Sequence, residues 1–323
     1  MSKHCIIADL HIVIDTDDRR LLDLLAPRYA PFCHRASDCA EVPVLFTLHE
    51  VAPFEPLTEV TWKYDFQSQD AWCVYEENAN GVQITLQDMD SRETIAQMQC
   101  NTTYSDARCW LSGTDTQRLY CYNNFLMMLY AFASMSRQTL LFHASVIERE
   151  GKAYLFLAKS GTGKSTHSTL WLKHVPGCQL VNDDNPVVGV RDGQVYVYGS
   201  PWSGKTDCYR DLRFPVGGFA RVNRAPECRI VRQAPVQSFA VLLPSCSSVR
   251  WNKEMYRLQG DTIGDVVARI PVYELYCTPY REAAVVSSKG MGAWDGTADE
   301  AGFAKNQKSL KPAGVTLQPD PTL

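Results

Sequence analysis

The chain has no C-x-x-C pair, no long apolar run, no excess of basic charge and no internal repeat. Each absence removes a class of function. Structural zinc sites draw on close-set ligand pairs, so the twelve scattered cysteines do not read as a metal framework. Lys and Arg total 32 against 36 Asp and Glu, a net charge of -4, which lacks the basic footprint of a nucleic-acid partner. The longest apolar segment, residues 125–133, is far too short to span a bilayer, so no membrane partner is expected. The apolar stretch at 5–14 contains Asp9 and His11, without a basic start or a cleavage site, and does not read as a secretory signal. The expectation is a cytoplasmic, soluble protein with free, mostly buried thiols. The 323 residues, 45% hydrophobic and 21% charged, allow one large domain or two ordinary ones.

The most informative feature present is the run Ala158-Lys159-Ser160-Gly161-Thr162-Gly163-Lys164-Ser165. An apolar, strand-like segment precedes it and a helical segment, 166–174, follows. That context suits a phosphate-binding loop, in which backbone N–H groups exposed by small residues and a helix N-terminus surround polyphosphate. The pattern places Gly at its first position, where this chain has Ala158; alanine is small enough to serve if its φ is negative. Ser160, Gly161, Thr162, Gly163, Lys164, Ser165 and Thr166 are therefore the expected nucleotide contacts. Lys164 would reach the outer phosphates and the Ser165 hydroxyl would hold Mg²⁺.

Residues 1–117 read as β-rich. Runs at 72–75 and 82–86, joined through Asn80-Gly81, form an expected hairpin. His11, His34 and His49 are scattered and form no constellation. This region would either recognise a partner or cover one edge of the following domain. That domain is expected over 118–286. It opens with an apolar helix at 118–135, buried against a sheet. A strand at 139–148, a tight turn at 149–152 and an antiparallel partner at 153–157 then lead into the glycine loop. A short strand at 178–181, a hairpin at 187–198 turned by Asp192-Gly193, and a second glycine-containing loop at 199–205 follow. Residues 239–243 read equally as strand or helix, 262–270 as helix and 271–277 as strand. From 287 to 323 little periodicity remains, and a disordered tail is expected.

Asp183 and Asp184 close the 178–181 strand, 19 and 20 positions after Lys164. Carboxylates at a strand end beside a phosphate loop complete a Mg²⁺ site, and one of two can take the proton of an attacking hydroxyl. The same Asn-Asp-Asp-Asn-Pro run is also a natural turn sequence.

Residues 143–188 together resemble the catalytic core of HPr kinase/phosphorylase. There a His-bearing strand leads by a hairpin into a Ser-Gly-x-Gly-Lys-Ser loop, and a strand ending in Asp-Asp follows the helix. The loop and Asp pair are also similar to ATP-dependent phosphoenolpyruvate carboxykinase. The resemblance spans roughly residues 139–210. It implies an α/β fold with a mixed-sheet P-loop core, ATP and Mg²⁺ as cofactors, and phosphoryl transfer to a hydroxyl acceptor. It makes Lys164, Asp183 and Asp184 catalytic, with Ser165 and the Asp pair as metal ligands and the order of the two Asp roles open. His143 falls at the position of the family's active-site histidine. The downstream arginine-containing glycine stretch of HPr kinases is missing, and 200–206 stands in its place. Lys205 there, with Arg210 and Arg213, would face a substrate phosphate or anionic acceptor. The acceptor is left unidentified, small molecule or protein, and self-association is left open. A regulator that binds nucleotide without catalysis is the main alternative, a carboxykinase the lesser one.

Overall fold

A computed structural model describes residues 1–67, 71–159, 161–204, 206–248 and 250–295. Two mixed β-sheets carry the chain, with helices packed on them, an α/β architecture rich in strand. The first sheet is built from β1 (Ser2–Ile7), β2 (Leu10–Asp15), β3 (Cys33–His34), β4 (Val44–Glu50), β5 (Trp62–Gln67), β6 (Trp72–Asn78), β7 (Gly81–Gln87), β8 (Thr94–Cys100) and β9 (Asp106–Leu111). Its spatial order is β3-β1-β2-β4-β9-β8-β7-β6-β5. Helices α1 (Arg19–Tyr29) and α2 (Asp115–Ala133) pack together and α2 lies on this sheet.

The second sheet contains β10 (Thr139–Leu141), β11 (Ala144–Arg149), β12 (Lys152–Leu157), β13 (Gln179–Asp184), β14 (Val187–Arg191), β15 (Gln194–Tyr198), β16 (Arg213–Arg224), β17 (Arg229–Arg232) and β18 (Val272–Cys277). The order is β10-β14-β15-β16-β12-β11-β13, with β18 on β16 and β17 on β18. Four helices complete it: α3 (Lys164–His174), α4 (Pro235–Leu242), α5 (Lys253–Arg269) and α6 (Arg281–Gly290).

Tight turns explain much of the local order. Glu150-Gly151 and Asp192-Gly193 have positive φ at both central positions, the primed geometry that matches strand twist, and they turn β11–β12 and β14–β15. The expected Asn-Gly hairpin is β6–β7, where the Asn78 carboxamide oxygen accepts from the N–H groups of Asn80 and Gly81.

Four expectations are corrected. Residues 139–148 are not one strand. The backbone breaks at Phe142 and His143, whose N–H groups are taken by the carbonyls of Pro186 and Ser245. The apolar helix α2 belongs to the first sheet, so the division at 117/118 falls inside one packing unit. Tyr122 and Tyr130 of α2 donate to the carbonyls of Leu48 and Ile7. The tail does not begin at 287: Ser287 and Ser288 are buried in α6, and Trp294 is 8% exposed. Residues 296–323 lie outside the described residues. Finally, Cys5 and Cys33 face each other across β1 and β3 and form a disulfide, while the other ten cysteines are free. Among the described residues no helix is long and apolar enough to cross a membrane.

Candidate active site

Strand register brings the expected residues together. β11 runs antiparallel to both β12 and β13, and Ala144 pairs with Leu157 on one side and with Asp184 on the other. The end of β12, the end of β13 and His143 therefore lie level at one edge of the sheet. β16 runs parallel to β12 and β18 parallel to β16, so Arg224 and Cys277 end at the same edge. Ligands of α/β sheets gather at the carboxyl ends of the strands.

The loop leaves β12 and opens α3. Gly161 and Gly163 have φ of +73° and +124°, a backbone conformation that side chains resist. A Cβ at Gly161 would meet nothing within 4 Å, so it is the backbone conformation and not crowding that favours glycine there. Arg224 supports the bend by donating to the carbonyls of Gly161 (2.7 Å) and Thr162 (3.2 Å). Those carbonyls are thereby turned toward the arginine.

A polar chain crosses the edge. The Lys164 ammonium donates to Nε2 of His143, and Nδ1 of His143 contacts Asp184 Oδ1 at 3.0 Å. Donor and acceptor roles on the two ring nitrogens are assigned from these neighbours. Asn185 donates to the other Asp184 oxygen at 2.8 Å. Ser165 Oγ donates to Asp183 Oδ1 at 3.0 Å. Burial pulls the Lys164 ammonium below its ordinary pKa, and Asp184 and Asp183 oppose that shift.

The second loop closes over the Asp pair. Gly204 N–H donates to the Asp183 carbonyl at 2.6 Å. A Cβ at Gly204 would stand 2.9 Å from that oxygen and 3.1 Å from Asp184 Cβ, so only glycine fits. Asn182 fixes the loop from beneath by donating to Ser200 and Trp202.

Two cavities meet at the bend. One, of about 780 Å³, is lined by His143, Lys164, Ser165, Asp183, Asp184 and Ser203, and on its far side by residues of α1 and α2. The other, about 530 Å³, lies across the loop and is walled by Leu170, Val222, Pro226, Thr278 and Pro279, with Thr162, Gly163, Thr166 and Arg224 at its rim.

Gly161, Thr162, Gly163, Lys164, Ser165, Thr166, His143, Asp183 and Asp184 thus share one edge. Ser160 and Lys205 lie outside the described residues. Arg210 and Arg213 are not brought to the site. Arg210 donates to the Leu180 carbonyl at 2.8 Å, and Arg213 stacks on Tyr196 near Asp9. Neither Arg224 nor α1 carried an expectation from the residues alone. An Asp18 cap followed by Leu21, Leu25 and Tyr29 at helical spacing was the available signal for that helix.

No family model and no curated protein matches the sequence. Among solved structures, the HPr(Ser) kinase/phosphatase from Coxiella burnetii is a weak neighbour, with 12% identity over 52% of this chain and 95% of that chain, and a TM-score of 0.28. A likeness at that level carries no weight for function.

Proposed function

We propose that the chain binds a nucleoside triphosphate with Mg²⁺ and transfers its terminal phosphoryl group to a hydroxyl acceptor. The observation that supports this most is the convergence of the glycine bend, a buried lysine and two carboxylates at one strand edge. The amides of 161–165 and the Lys164 ammonium suit polyphosphate, and a phosphate there would offset the lost hydration of that cation. The apolar 530 Å³ slot across the loop suits the nucleoside.

The residues fit Mg²⁺. Ser165 Oγ and an Asp183 oxygen lie 3.0 Å apart, two hard donors of the kind that Mg²⁺ takes beside phosphate and water. Among the described residues no group of three or more His, Cys, Asp or Glu is placed to hold a metal, so the protein's share would be this small set. A bound Mg²⁺ would neutralise charge on the transferring phosphate.

The two carboxylates then divide the work. Asp183 faces Ser165, on the metal side. Asp184 faces His143, which holds its orientation, and lines the cavity where an acceptor hydroxyl would lie. The acceptor oxygen bonds to the terminal phosphorus as the bond to the bridging oxygen breaks. The hydroxyl proton passes to Asp184, and the nucleoside diphosphate leaves. Positioning and charge neutralisation supply most of the rate.

The test compares Lys164→Met, Asp183→Asn and Asp184→Asn. Lys164→Met is expected to abolish the thermal shift given by MgATP. Asp184→Asn should keep that shift and lose phosphate transfer by at least about a hundredfold, the usual scale for a missing proton acceptor. Wild-type protein that shows no MgATP stabilisation would refute the reading.

A further inference from the structure

Resting on the nucleotide-transfer reading, we infer that the acceptor is a small hydroxylated molecule bearing a carboxylate or phosphate group, held between the two sheets' helices with Arg28 as its anion contact. The cavity has two unlike walls. The near wall carries the reacting groups, Asp184 and Lys164; the far wall is made by α1 and α2. Arg28, on α1, is half-buried and lines the far wall. Its guanidinium lies 5.3 Å from the centre of the Tyr209 ring, whose hydroxyl donates to Asp207, and among the described residues it forms no ion pair of its own. A half-buried guanidinium without a direct ion pair at a cavity wall suits an anion, which it can grip through two parallel N–H groups.

Asn123, beside it on α2, is held by a relay. Trp202 Nε1–H donates to the Tyr29 hydroxyl at 3.1 Å, and that hydroxyl donates to Asn123 Oδ1 at 3.0 Å. Asn123 lines the cavity, and its NH₂ group has no protein acceptor among the described residues. Trp202 belongs to the loop that closes over the Asp pair. The far wall is therefore tied to the reacting end by direct hydrogen bonds. Leu119 and Met127 give it an apolar side for a carbon skeleton. A ligand matching these walls has a hydroxyl at one end and a negative charge at the other.

The experiment uses the full chain, labelled ATP with Mg²⁺, and matched acceptors: glycerol against glycerate and glycerol 3-phosphate, and glucose against gluconate and glucose 6-phosphate. Transfer to anionic members and not to their neutral counterparts is expected, and the two anionic arms separate carboxylate from phosphate. Arg28→Met should raise KM for the accepted compound about tenfold or more with little change in kcat, and Arg28→Lys should recover part of it. Retention of the MgATP thermal shift in Arg28→Met shows that the variant is folded. Equal use of neutral compounds, transfer to none of the panel, transfer only to a protein added from cell extract, or an unchanged KM in Arg28→Met each overturns the inference while leaving nucleotide binding intact. Absence of MgATP stabilisation in the wild type overturns the underlying reading and this inference with it.

Discussion

His167, one turn into α3, should make this protein sensitive to mild acid. Its ring is 2% exposed, and burial pushes its pKa from 6.5 to about 3. Ser287 Oγ donates to the Ala283 carbonyl and accepts from Trp171 Nε1, so it also accepts from His167 Nε2–H, and the buried Nδ1 has no partner among the described residues. The folded state therefore keeps the imidazole neutral where the unfolded chain takes up a proton. Above the unfolded pKa both states are neutral and nothing is lost. Below it the unfolded state binds more protons, so stability falls as pH falls, down to the folded pKa. At about pH 5 some 1.5 units of that window are open, about 2 kcal/mol at 1.36 kcal/mol per unit. Replacement by Gln keeps a donor for Ser287 and removes the titration. Urea unfolding near pH 7 and pH 5 should show wild type losing about 2 kcal/mol more than His167→Gln. Equal losses in the two proteins would sink the reasoning, since the carboxylates common to both would then account for the whole effect.

Further outcomes are expected at the site. Gly204→Ala forces a methyl against the Asp183 carbonyl and should cost about 1–3 kcal/mol, read by urea unfolding, together with most phosphate transfer. Arg224→Ala frees two loop carbonyls and should weaken MgATP binding about thirtyfold, measured by titration calorimetry, for two lost charge-assisted bonds of order 1 kcal/mol each. Ser287→Val strips the shared acceptor from Trp171 and His167 and should destabilise by about 2 kcal/mol or more, seen as a lower urea midpoint.

What the residues determine alone is local. Small residues at 161 and 163 permit the positive φ of the bend, and Glu150-Gly151 and Asp192-Gly193 set two hairpins, because backbone sterics act over a few positions. The spacing from Lys164 to the Asp pair survives as a real proximity because a helix and one strand separate them. Distance along the chain hides the rest. Nothing in residues 139–148 marks the break at 142–143; the carbonyls of Pro186 and Ser245, more than 40 and 100 residues away, take the N–H groups of Phe142 and His143 respectively. Ser287 sits in a run of small polar residues that reads as a tail, yet it is buried because α6 docks on α3, where one hydroxyl serves two rings. Arg28 joins the candidate site only because α1 and α2 line the same cavity as the strand edge, a placement that packing alone decides.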